Sequence, residues 1–259
     1  SPNIDPGRLV PPPVMAYSYP VHGAGLEHYA FVRRDSVLAT MPSGEEQIQV
    51  TRRTAYLTVT WIAADSGSEI NASIDSLVVD SAAALAPEQV DSARYARWSG
   101  FRPVTGGLEH LTGLEGIPAS LAGDQVRDQL LLLFPVLPPG GATPGASWTA
   151  SSESPTRVSA FSATEQATIE SQAGNVTPSG ALPLYVVRDR SATGEATQFA
   201  QTITVHATGS DSLTYYLAPD GRVSSVEGTR TTDLVVELAA IGQSVPAHAV
   251  TYLRMTLLP

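Results

Sequence analysis

A chain of 259 residues, 42% of them hydrophobic, can fill a core without disulfides or structural metals, and its mean hydropathy of +0.01 is ordinary for a globular protein. A net charge of −10 and a pI near 4.9 argue against nucleic-acid binding, because a polyanion gains nothing from releasing phosphate counterions. Cysteine is absent and every basic side chain is arginine, which removes disulfides, thiolate nucleophiles, iron–sulfur clusters, a P-loop lysine and Schiff-base chemistry.

No apolar run approaches the roughly 18 residues a helical membrane span needs; the longest, around Leu130–Leu137, is too short. The chain opens at Ser1 without methionine, which fits a trimmed chain or, the favoured expectation, removal of a leader, one form of which leaves a lipid-bearing residue just upstream. The arginine-only habit fits a GC-rich bacterial genome.

Residues 1–25 read as an extended, proline-rich arm, with prolines at 2, 6, 11, 12, 13 and 20 favouring polyproline II. Val14, Met15, Tyr17, Tyr19 and Val21 are its apolar contacts, available to the chain's own body or to a partner protein, and a partner is the expected occupant.

Residues 26–134 form the first half of the body. Leu57, Val59 and Trp61 alternate with Tyr56, Thr58 and Thr60, a turn follows at Asp65–Ser68, and Ile70, Ala72 and Ile74 alternate on the return, which predicts a hairpin with one apolar face. Two helices are expected. Pro87 opens one that continues over 88–98. The second spans about 119–133, where Val126, Leu130, Leu133 and Phe134 form one stripe and Pro135 ends it.

Residues 135–145 are a Pro/Gly connector, and residues 146–259 read as strands throughout. Ile203 and Val205 share a face, as do Leu234, Val236 and Leu238. Pro219–Gly221 supplies a turn, and Asp211–Ser212 beside Gly209 reads as another polar turn. The sum is a mainly β chain: a curved antiparallel sheet, or half-barrel, of two strand-rich halves, with both covering helices in the first. Leu57, Val59, Trp61, Ile203, Val205, Leu234, Val236 and Leu238 are the candidate hydrophobic face.

Chemistry-bearing motifs are sparse. His22, His28, His110, His206 and His248 show no metal-ligand spacing, and Asp65–Glu69 lacks the order of a calcium loop. Gly145–Trp148 departs from a nucleophile elbow after its first residues. Two glycosylation sequons, at Asn71 and Asn175, carry no sugar in a bacterial setting. Neither a catalytic residue, a metal site nor a cofactor is predicted.

One stretch goes beyond periodicity. A helix running into LLLLFPVLPPGGATPGASWTA (Leu130–Ala150), followed later by LTYYLAPDGRVSSVEGT (Leu213–Thr229), resembles bacterial envelope proteins and lipoproteins of the LolA/LppX-like half-barrel class. The resemblance implies a curved sheet closed on one side by helices, in the periplasm or on the outer side of a bacterial envelope, and it carries no catalytic residue. The first expectation is a non-enzymatic accessory or scaffolding subunit whose arm engages other envelope proteins. The alternative is a periplasmic carrier that holds a lipid or acyl chain on the concave face. An envelope hydrolase ranks third.

Overall fold

The computed structural model describes residues 15–80, 87–108, 111–114, 121–158, 161–198, 201–238 and 242–259. In chain order the elements are β1 (Ala24–Thr40), β2 (Glu46–Ala64), β3 (Gly67–Asp80), α1 (Pro87–Ala93), β4 (Arg97–Pro103), β5 (Leu111–Gly113), α2 (Leu121–Leu130), β6 (Ser147–Val158), β7 (Phe161–Ala173), β8 (Leu182–Gln198), β9 (Gln201–Leu217), β10 (Val223–Leu238) and β11 (Gln243–Leu257). The chain is mainly β, as its alternating patterns predict, with two helices.

All strands join one curved, unclosed antiparallel sheet in the order β5-β4-β3-β2-β1-β11-β10-β9-β8-β7-β6. Each half is a meander of hairpins, and the two halves are welded where the first strand pairs with the last, Tyr29 opposite Leu257 through Ala39 opposite Ala247. The sheet edges are therefore β5 and β6, the two strands that flank α2 in sequence.

Residues opposite one another in an antiparallel pair point to the same face, so the register fixes which side chains share the concave side. Tyr29, Leu57 and Ile74 stand in line across β1, β2 and β3, and Met255, Val226 and Tyr215 across β11, β10 and β9. All are buried, and with Val126, Leu130, Leu133 and Phe134 of the α2 region they form one core. Each fully buried side chain of this size contributes about 1.5–3 kcal/mol.

Several expectations change. The helix expected over 88–98 ends at Ala93, because Arg97 and Trp98 enter β4, where Trp98 pairs with Ala72 and Gly113 and is buried. Pairing and burial outweigh a weak helical stripe. The described part of the second helix stops at Leu130, and Leu131–Phe134 continue as turns, since a residue before proline is disfavoured in the helical region. The turn expected at Asp211–Ser212 does not exist: β9 runs unbroken through it, and Asp211 is fully buried on the concave face.

The arm also departs from expectation. Tyr17 makes a reciprocal backbone bridge with Ala142, its N–H and C=O each at 2.8 Å from the partner atom, and its hydroxyl donates to the Gly180 carbonyl at 2.7 Å. The Tyr19 hydroxyl donates to the Pro135 carbonyl at 2.7 Å. Both tyrosines belong to the chain's own core, so neither is free to meet a partner. Met15 and Val21 are exposed, and Val14 lies outside the described residues.

Candidate functional site

The concave face is not uniformly apolar. Arg188, Asp211, Arg230, Thr251, Asp35 and Thr51 stand opposite one another in succession from β8 to β2. Arg33 and Arg53 on one side of this row, and Arg190 and Glu165 on the other, extend it into a belt of charge across the sheet. The belt exists because the inward parity of several strands switches from apolar to charged partway along: Tyr29 and Phe31 give way to Arg33 and Asp35, and Leu184 and Val186 to Arg188 and Arg190.

The belt is knit by ion pairs. Asp211 accepts from Arg190 Nε at 2.8 Å and from Arg230 Nε and an Arg230 terminal nitrogen, both at 2.9 Å. Glu165 bridges Arg188 at 2.8 Å and Arg190 at 3.2 Å. Asp35 accepts from Arg33 Nε at 2.8 Å and from the Thr251 hydroxyl at 2.6 Å, and pairs with Arg53. Burial alone would raise the Asp35 carboxyl, but the two arginines and the hydroxyl outweigh it and hold the group below its ordinary range. Five guanidiniums thus meet three carboxylates, and the Nε atoms of Arg53 and Arg188 are buried with no hydrogen-bond partner among the described residues.

Against part of this belt lies a cavity of about 490 Å³. Its floor is the concave face of β7–β10, with Ile169, Val186, Leu213 and Tyr215. Its roof is the chain after α2, Leu131–Val136, together with the loop after β4 around Gly106–Leu108. Pro135 and the tyrosine bonds fix that roof, for Tyr215 donates to the Leu132 carbonyl at 2.8 Å and Trp148 Nε1 to the Val136 carbonyl at 2.9 Å. Asp128, Glu165, Arg188 and Arg230 are charged residues of its wall, and Glu153 with serines of the edge strand β6 completes it. The Asp128 carboxyl is pushed up by burial, against the pull of neighbouring Arg127.

The eight residues of the predicted hydrophobic face all point to the concave side, yet none lines this cavity. Leu57, Val59 and Trp61 sit in the filled core. Ile203, Val205, Leu234, Val236 and Leu238 lie beyond the belt, where Leu234 packs on a small cluster of Ala163, Ala192 and Ala207. The cavity instead uses residues of the same parity on β7, β8 and β9. Their signal was the break in alternation, an arginine or carboxylate at an inward position, which resembles a solvated site until the strand register is known.

His28, His206 and His248 are exposed, and among the described residues no three of His, Asp or Glu gather to hold a metal. Likewise, no described helix is long and apolar enough to cross a membrane. No protein-family model and no curated protein matches this chain.

Proposed function

We propose that this chain is a non-enzymatic protein of the bacterial envelope that holds a small hydrophobic ligand between the roof after α2 and the concave sheet. The observation that carries this reading is the cavity itself: about 490 Å³, within the size range of small-ligand sites, with an apolar floor and roof and a few charged groups in its wall. A resemblance to half-barrel lipoprotein carriers agrees with it. The scaffolding reading, the first expectation from the sequence, draws less from this geometry: Tyr17 and Tyr19 of the arm are packed in the chain's own core, Met15 and Val21 are exposed, and residues 1–14 lie outside the described ones.

The test is titration with N-phenyl-1-naphthylamine, an uncharged fluorophore that brightens in apolar surroundings. Saturable binding to one site is expected, and it should be lost in Val186→Trp, which places an indole in the cavity while circular dichroism stays unchanged. Non-saturable binding, or binding unaffected in the folded variant, would overturn the reading.

A further inference from the structure

We infer that the cavity selects an amphiphile with an anionic head, a carboxylate or a phosphate, received by Arg188 with Arg230 beside it; this rests on the hydrophobic-ligand reading above. Three guanidiniums, of Arg188, Arg190 and Arg230, stand around two carboxylates, of Glu165 and Asp211, leaving one positive charge over. Both carboxylates are already committed, each with both oxygens engaged within the belt. Two further carboxylates line the cavity: Asp128, bonded to Arg127 at 3.0 Å and also drawn on by Arg230, and Glu153 of β6, which is exposed and accepts from Gln166 Nε2 at 3.2 Å. Neither of these is paired with Arg188, whose one ion-pair partner among the described residues is Glu165.

Arg188 is the residue on which the surplus falls. It lines the cavity, and among the described residues its Nε has no partner and its one bond beyond Glu165 is a long one of 3.4 Å to the Ser152 hydroxyl. Arg190, by contrast, is engaged through all three nitrogens, by Asp211, Glu165, the Thr231 carbonyl and the Thr232 hydroxyl. A buried cation without an anion is costly, so an incoming anionic head regains free energy there that a neutral head cannot. Ile169 stands directly opposite Arg188, and Val186 is its same-face neighbour, so an alkyl chain leaving that head enters the apolar part at once. The overall charge of −10 opposes nonspecific anion uptake, which confines the preference to this local excess.

The experiment is displacement of N-phenyl-1-naphthylamine from the full chain by dodecanoate, by lysophosphatidylglycerol and by dodecanol. Dodecanoate, the lysolipid or both should bind at least about tenfold tighter than dodecanol. Which anion leads separates a free acid from a lipid headgroup. Arg188→Gln should shrink that preference to about twofold, and Arg188→Lys should restore most of it. Arg188 is the informative position because Glu165 keeps Arg190 when it is changed. Equal affinity for dodecanol and both anions, or a preference untouched by Arg188→Gln, would overturn the inference while leaving the hydrophobic-ligand reading intact. Failure of the fluorophore to bind at all would overturn both.

Discussion

The guanidinium carbon of Arg102 lies 4.5 Å from the ring centroid of Tyr19, and the same group lies 4.9 Å from the ring of Phe134. Arg102 comes from β4, Tyr19 from the arm and Phe134 from the roof of the cavity, so one buried cation ties together three segments distant in sequence. Tyr19 and Phe134 also meet edge to face, at 5.9 Å between centroids. A terminal nitrogen of Arg102 donates to the Ser68 hydroxyl at 3.1 Å.

Replacing Arg102 with Met keeps much of the volume but removes the charge held between two rings and the bond to Ser68. Desolvated cation–π contacts are worth about 2 kcal/mol or more, so a loss of about 2–4 kcal/mol is expected in urea unfolding. Binding of the uncharged fluorophore should weaken in parallel, because the roof loses its anchor.

Gly106 tests the same junction from the backbone side. It holds φ of +75°, and a Cβ there would collide with the Tyr19 ring and the Pro135 carbonyl. Gly106→Ala should therefore cost about 1–3 kcal/mol by denaturant unfolding. Gly44→Ala, at a similar φ of +82° but with open space around it, should cost less.

Asp35 predicts an acid limb. Its folded-state carboxyl sits below the ordinary value of 3.8, so its contribution is full above that value and is lost as the pH falls through the lower folded one. Asp35→Asn should destabilise by about 3–5 kcal/mol at pH 7, since Arg33 and Arg53 lose their shared anion. The gap between variant and parent should narrow below about pH 4. Thermal unfolding across pH measures both.

Asp128 predicts the opposite sign. Burial raises its carboxyl, so its folded form is favoured most below the ordinary value of 3.8 and loses ground as the pH rises through the raised one. Asp128→Asn should thus gain on the parent in thermal stability between about pH 4 and 7. Acid-side stability of the variant should change little.

The sheet was legible where alternation was unbroken, as at Leu57, Val59 and Trp61, because apolar β-rich residues at every second position have one economical arrangement. The charged belt was not, since Asp211 beside Gly209 has the composition of a turn. Only its cross-strand partners Arg190 and Arg230, each about 20 residues away along the chain, place it inside. Tyr17 and Tyr19 were visible as sticky residues, but sequence does not say whose carbonyls their hydroxyls will find. The cavity was illegible for a further reason: it is a space left by Pro135 and the turns after α2, and no residue type encodes a void.

The central claim is that a ligand enters between the roof and the β7–β9 floor. Methyl-labelled NMR of Ile, Leu and Val residues during titration with dodecanoate tests it most directly. Saturating shifts at Ile169, Val186, Leu213, Leu131 and Leu132, with Leu234, Val236 and Leu238 unmoved, are the predicted result. Shifts confined to the residues beyond the belt or to the convex face would contradict it.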